Sequence, residues 1–398
     1  MGRRTPRGLS STQWGNQAEV IPYGRQSVDE EDVAAVSSVL RSAWLTTGPA
    51  VEEFESELAR QVGAAQCVSV TSGTAALHCA YTAGAIGPGD EVITPPLTFV
   101  ATQAAAAALG AKIKFADVEP DTGNIDPAAA AALVTPQTRA IVAVDYAGHP
   151  AELDDLRSIA REHGILLIED AAHSIGSCYR GRPVGSIADL TTFSFFPTKN
   201  ITTGEGGAVA TADPTLAQRA RLFRNHGLVR DSKAQRYPDE GPWHQEVHDF
   251  GLNYRLPDIL AALGLSQLDR MAEFKRRRAE IFGLYAALLG GIDDLALPTV
   301  RDHVDPMWHL FPLRVPASER ARIFQSLRKR GIGVQVNYMP AYWHPVFEDL
   351  GYKRGTCPNA EAYYREEISL PMFPGLRDDE VHRVADAVVS SLGRPGAS

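Results

Sequence analysis

The sequence predicts an α/β protein, with a seven-stranded, mostly parallel sheet followed by a smaller C-terminal α+β unit. Three observations carry this. From Gly63 to Thr211, short strand-like runs recur, and the first four are each followed by a stretch of helical periodicity. That alternation builds a parallel sheet covered by helices on both faces, with right-handed crossovers. At 398 residues the chain also exceeds one ordinary domain, and its pattern changes after about Met307.

The elements follow in order. Helical patterns at Asp29 to Leu40 and Val51 to Val62 precede the sheet. "CVSV" (67–70) leads into helical "TAALHCAYTAG", "EVIT" (91–94) into "FVATQAAAAALG", "KIKFADV" (112–118) into "PAAAAALV", and "AIVAVD" (140–145) into "ELDDLRSIAREHG". "ILLIED" (165–170), "LTTFSF" (190–195) and "GGAVAT" (206–211) complete the seven strands. The most apolar window, "VATQAAAAALGA", reads as a short buried helix. From about Leu216 the pattern is helical. Then come strand "MWHLFPLRV", helix "SERARIFQSLRKRG", strand "GVQVNYM" (333–339), helices, "EISLP" and a last helix from Asp378. The expected domains are a flexible lead over 1–20, a large α/β domain over 21–270 and a small α+β domain over 271–398.

Composition narrows the function. The chain is 44% hydrophobic and 22% charged, with a formal charge of -9, which gives no general attraction to nucleic acid or to an anionic membrane, although local basic patches can still hold a phosphorylated substrate. No tract is long enough to cross a bilayer. Cys67, Cys79, Cys178 and Cys357 are widely spaced and form no CxxC pair, which fits a reduced cytoplasm. The basic, polar opening residues lack the apolar stretch of a secretory signal.

In an open α/β sheet the chemistry lies beyond the carboxyl ends of the strands. There "TSGTAAL" places Ser72, Gly73 and Thr74 at a helix start, where free N–H groups hold a phosphate, although a plain N-cap would look the same. "ILLIEDAAH" sets Glu169 and Asp170 at a strand tip with His173 one turn on; such a carboxylate binds a metal, a ribose or a protonated ring nitrogen, or caps a helix. No GxGxxG accompanies it, which weakens the ribose reading. "LTTFSF" delivers Ser194 and then Lys199, in a chain with seven lysines among its 39 basic residues. Burial can lower a lysine's pKa until its amine is a nucleophile, as arginine's never is. Phe99, after "EVIT", either stacks on a flat ring or packs in the core. Together a phosphate cup, a stacking ring, a carboxylate and a lysine describe one ligand, pyridoxal phosphate, which needs a lysine for its aldehyde and an acid for its ring nitrogen.

Other motifs carry less. "HQEVH" (244–248) lacks the HExxH arrangement and a third ligand, so no metal site is expected. No GxSxG elbow or Walker A loop occurs. Basic "FKRRRAE" (274–280) reads as a solvated helix face.

The motifs "IPYGRQSVDEEDV", "WLTTGP", "TSGTAALH", "VDYAGHP", "IEDAAHSIGS", "SFFPTKNITTGEGGAV", "FRNHG", "LNYRLPDILAALGLSQL" and "EISLPMFPGL" resemble the DegT/DnrJ/EryC1/StrS sugar aminotransferases over Ile21 to about Leu392. The resemblance implies the aspartate-aminotransferase fold (PLP-dependent fold type I). It also implies a Schiff base to Lys199, Asp170 on the pyridine nitrogen and Phe99 on the ring. His173 would lie near the ring hydroxyl, with Gly73, Thr74 and Ser194 on the phosphate. Asn253 would reach the phosphate of a neighbouring subunit, implying a homodimer with shared sites, while Thr47 and Tyr338 would line the sugar pocket. Relatives often carry histidine where this chain has Asn337. Within the family, "VDYAG", "LGLSQL" and "EISLP" resemble the transaminases of pseudaminic acid synthesis. That implies L-glutamate as donor, a UDP-linked 4-keto-6-deoxy hexose as acceptor, pyridoxamine phosphate between the half-reactions and ping-pong kinetics. The rivals are amination of a cyclitol ketone or of another sugar position, a pyridoxamine-phosphate-dependent sugar dehydratase, and a non-catalytic cofactor-binding dimer. Lys199 argues against the dehydratases, which carry histidine there.

Overall fold

The computed structural model describes residues 20–393, so the predicted lead falls, but for its last residue, outside the described residues. All seven sheet strands form: β1 (Gln66–Val70), β2 (Glu91–Thr94), β3 (Lys112–Phe115), β4 (Thr138–Val144), β5 (Leu166–Asp170), β6 (Leu190–Ser194) and β7 (Gly207–Thr211). Their spatial order is β1-β7-β6-β5-β4-β2-β3. The pairs from β6 across to β3 are parallel, whereas β7 is antiparallel to both β6 and β1. The reason is local. No crossover helix separates β6 from β7, so the chain bends back on itself, and Lys199 lies in that bend.

Helices α1 (Glu30–Arg41) and α2 (Pro49–Gln61) precede the sheet. Crossovers α3 (Gly73–Ala83), α4 (Ala101–Ala108), α5 (Pro127–Ala131) and α6 (Leu153–His163) follow its first four strands. Adjacent residues on a strand face opposite sides of a sheet. Val92 and Ile168 accordingly join Ala76, Ala80 and Ala106 of α3 and α4 in one core, while Ile93 and Leu167 join Leu153 and Leu156 of α6 in another. Two buried faces explain why the strands read as apolar runs. Helix α4 is the short buried helix expected from its alanines, with Thr102, Gln103, Ala105 and Ala106 inside.

Helices α7 (Pro214–Phe223), α8 (Asp258–Asp269) and α9 (Met271–Leu289) lead to the C-terminal unit. There β8 (Phe311–Arg314) pairs antiparallel with β9 (Glu367–Leu370), surrounded by α10 (Arg320–Lys329), α11 (Pro345–Asp349), α12 (Pro358–Glu366) and α13 (Asp378–Ser391). The first described residues join this unit, since Ile21 donates to the Gly331 carbonyl at 2.9 Å and accepts from Gly333 at 2.7 Å.

Two expectations are corrected. The strand expected over 333–339 is reduced to isolated bridges at Ile332 and Gln335, because the Asn337 N–H donates to the Glu367 carboxylate at 2.7 Å instead of to a strand carbonyl. The "FKRRRAE" face is not wholly solvated either. Arg276 is exposed, but Arg278 is fully buried, and its Nη1 donates to the carbonyls of Trp308 and Met372 at 3.0 and 3.2 Å. Three adjacent arginines on a helix cannot share one face. None of the described helices is long and apolar enough to cross a membrane.

Candidate active site

The strand ends meet at a cavity of about 430 Å³ that is lined by Ser72, Gly73, Thr74, Phe99, Asp170, His173, Ser194, Lys199 and Tyr338. A larger open groove of about 700 Å³ over Arg330, His382 and Asp386 has no comparable convergence of chemistry.

The cup begins where β1 gives way to α3. Ser72 caps the helix, its Oγ accepting from the Ala75 N–H at 3.1 Å, and the next N–H groups lack intrahelical partners. Gly73 is needed for contact: a Cβ there would lie 2.7 Å from Ser194 Cβ. Only glycine lets the helix start abut β6, which brings Ser194 to the N–H groups. These groups suit a phosphate.

Asp170 ends β5 and is buried. Burial raises its pKa, while the Thr102 hydroxyl donating to Oδ2 at 2.7 Å, the Ala172 N–H donating to Oδ1 at 3.2 Å and the Lys199 charge pull it back. Half-buried Lys199 shares the cavity, and loss of water lowers its amine to about 8 against the opposing pull of Asp170. Glu169, next along β5, points to the other face, where Thr191 donates to its Oε2 at 2.8 Å and Ser174 donates to neighbouring Asp145 at 2.6 Å. Burial lifts Glu169 to about 7 and Asp145 well above the usual carboxylate range. Of the two strand-tip acids, only Asp170 therefore faces the cavity.

Two imidazoles stand beside this pair. The His173 and His309 rings lie 4.3 Å apart, and His173 also stacks on Tyr338 at 6.0 Å. Burial, followed by the Lys199 charge, holds His173 well below its ordinary pKa. His309 is depressed in the same way, by burial and then by His173, Lys199 and Arg278. Both rings are thus neutral near pH 7, and neither Nδ1 has a partner among the described residues. Phe99, 59% exposed, presents its ring edge-on to Tyr338 at 6.2 Å.

Thr47 and Asn253 are not brought to this cavity. Both are exposed: Thr47 lies on the loop before α2, and Asn253 bridges to Asn225. Sequence reasoning missed Thr102, His309 and Tyr23 as lining residues. Thr102 carried the one available signal, a hydroxyl in the first turn of the helix that follows β2.

A flat phosphorylated ring bearing an aldehyde fits these residues: the cup would take the phosphate, Asp170 a ring N–H and Lys199 the aldehyde. The site thus brings a lysine amine and a buried carboxylate together in one cavity. The sequence profile of the DegT/DnrJ/EryC1/StrS aminotransferase family matches residues 26–389, and the chain belongs to that family. Spore coat polysaccharide biosynthesis protein SpsC of Bacillus subtilis (strain 168) is 41% identical over 376 residues, 92% of this chain and 96% of that protein. The putative sugar aminotransferase Spr1654 of Streptococcus pneumoniae, in its PMP form, superposes with a TM-score of 0.88 at 31% identity, covering 93% of this chain and 98% of that one. Helicobacter pylori PseC, an aminotransferase involved in the biosynthesis of pseudoaminic acid, gives 0.87 at 32% identity, covering 94% and 99%. The fold is that of these aminotransferases.

Proposed function

We propose that the chain is a pyridoxal-phosphate-dependent aminotransferase that moves the amino group of L-glutamate to C4 of a UDP-linked 4-keto-6-deoxy hexose, working as a homodimer. One observation carries the reaction: a lysine whose amine titrates near 8 shares a cavity with a buried, hydrogen-bonded aspartate and a helix-start phosphate cup. The nature of the sugar is supported by the likeness to PseC and by the motifs shared with its group.

When bound, the cofactor supplies an aldehyde that takes up the amino group and a ring that holds the electron pair left when a proton departs. The chain does the rest. Ser72, Gly73, Thr74 and Ser194 hold the phosphate and so fix the ring's position. Asp170 stabilises a positive charge on the ring nitrogen, and its hydrogen bond from Thr102 aims the carboxylate. Lys199 Nζ accepts the proton of glutamate's α carbon and, in the return half, hands a proton to the former keto carbon; an amine with a pKa near 8 performs both tasks at neutral pH. Phe99 shields one side of the ring site from water. Glutamate leaves as 2-oxoglutarate and the sugar as its 4-amino derivative.

Holoenzyme mixed with glutamate alone should release one 2-oxoglutarate per site, and subsequent addition of UDP-4-keto-6-deoxy-N-acetylglucosamine should yield the amino sugar. Borohydride reduction and peptide mapping should place a pyridoxyl group on Lys199. A tag on another residue, or no 2-oxoglutarate, sinks the proposal.

A further inference from the structure

Asn200 follows Lys199 in the bend between β6 and β7 and is buried. Its amide nitrogen donates to the His173 carbonyl at 2.8 Å and to the Met307 carbonyl at 3.0 Å. Both partners are main-chain carbonyl oxygens, which only accept, so the side of the amide that meets them is the NH₂, one hydrogen to each. Oδ1 is buried without a donor among the described residues. What the amide contributes therefore comes through its nitrogen.

The two carbonyls belong to the segments that carry the imidazoles of the cavity. One is that of His173 itself; the other stands two residues before His309, whose ring lies 4.3 Å from that of His173. These segments are joined to one another and to the end of β4: the Met307 N–H donates to Ser177 Oγ at 2.7 Å, and the His309 N–H donates to the Ala147 carbonyl at 2.8 Å. The bend has no such anchorage of its own. Its other bonds stay within it, as from the Phe195 N–H to the Gly206 carbonyl and from the Lys199 N–H to the Phe196 carbonyl, or reach Gln267 through the Thr202 N–H. Among the described residues, only the Asn200 amide makes a hydrogen bond from 195–206 to 171–177 or 307–309. Phe195 and Ile201 also share an apolar cluster with Ile175 and Met307, but such contact is non-directional and does not fix where the bend sits along them.

We propose that Asn200 is a positioning residue, its amide clamping the Lys199 bend to both imidazole-bearing segments and so setting where the lysine amine stands relative to His173 and His309. Its bearing on catalysis rests on the role of Lys199 given above. A catalytic group displaced by about 1 Å loses on the order of 100-fold in rate, so a clamp one residue from the amine has leverage on the reaction without touching substrate. The clamp also keeps the three groups dry. Burial is the main cause of the low pKa of Lys199 and of His173, and the Lys199 charge adds to the second. Loosening the bend admits water to both, which moves both upward.

The test uses cofactor-free protein first. In wild type, labelling of Lys199 should be half-maximal near pH 8; in Asn200→Ala that midpoint should rise by about one unit toward the ordinary 10.4, and the His173 midpoint, followed by NMR, should rise by about one unit toward 6.5. Asn200→Ser, whose single hydroxyl hydrogen serves at most one carbonyl, should move both part of the way and stands in if Asn200→Ala does not fold. Tyr352→Phe removes a comparable bond, from the Tyr352 hydroxyl to the Ile113 carbonyl at 2.6 Å on β3, and should leave both midpoints in place. In holoenzyme, Asn200→Ala should slow release of 2-oxoglutarate from glutamate by roughly 10- to 100-fold in kcat, with KM for glutamate and affinity for pyridoxal phosphate within about threefold of wild type, since the phosphate cup is not tied through Asn200. Midpoints that stay put in the folded variants, or that move as far in Tyr352→Phe, overturn the assignment and leave the aminotransferase reading standing. Wild type that releases no 2-oxoglutarate removes that reading, while the two midpoints still decide the clamp.

Discussion

The Tyr338 hydroxyl lies 3.2 Å from His173 Nε2, so the C-terminal unit and the tip of the sheet share a hydrogen bond across the cavity. This bond and the adjoining, tilted His309 ring keep His173 in a dry, neutral setting.

Two histidines held well below 6.5 have a consequence for stability. The unfolded chain binds protons at these imidazoles as pH falls through about 6.5, while the folded chain does not, so folding is progressively penalised below that point. Stability of the cofactor-free protein should decline as pH drops from 7 through the unfolded imidazole range, and His173→Asn combined with His309→Asn should flatten that decline. Denaturant unfolding at a series of pH values measures it; an unchanged slope in the double variant would falsify the assignment.

Lys199 should be the most reactive lysine of the cofactor-free chain. Labelling by an amine reagent, followed residue by residue by mass spectrometry, should show Lys199 half-maximal near pH 8 and exposed lysines near the ordinary 10.4. The Asp170 charge raises the Lys199 pKa, so Asp170→Asn should move the midpoint further down. A midpoint that stays put or rises would show that the two groups do not sense each other.

Gly73→Ala should weaken phosphate binding more than it weakens the fold. The added methyl meets Ser194 Cβ at 2.7 Å, and relief of that overlap costs about 1–3 kcal/mol while pushing α3 from Ser194. Titration with pyridoxal phosphate should show an affinity loss of at least about tenfold, on the order of 1.4 kcal/mol. Equal affinity would place the phosphate elsewhere.

Asn253 is exposed and outside its own chain's cavity, which suits a residue that serves a second copy. Lys199→Ala and Asn253→Ala should each be impaired alone. Refolded together, they should regain about one quarter of wild-type activity, since half the dimers are mixed and each mixed dimer has one intact site. A mixture no more active than its components argues that each chain completes its own site.

The sheet and the main chemical groups were legible in the sequence because both are local. Each strand is an apolar run short enough to be buried on two faces, and Ser72 to Thr74, Asp170, Ser194 and Lys199 are marked by standing where such runs end. The hydroxyl that fixes Asp170 stands 68 residues away, at Thr102, inside an alanine-rich helix that reads only as packing. The tyrosine hydroxyl that accepts from the Asn337 amide, on Tyr23, is 314 residues distant. "GVQVNYM" has every local mark of a strand, yet it is held by a glutamate side chain. Residue type and spacing therefore set which groups the reaction has at its disposal. Tertiary structure alone decided that Asp170 rather than Glu169 faces the cavity and that two imidazoles stay neutral there. A hydrogen bond's direction depends on what each partner has already bonded, and those partners are joined only when distant segments pack.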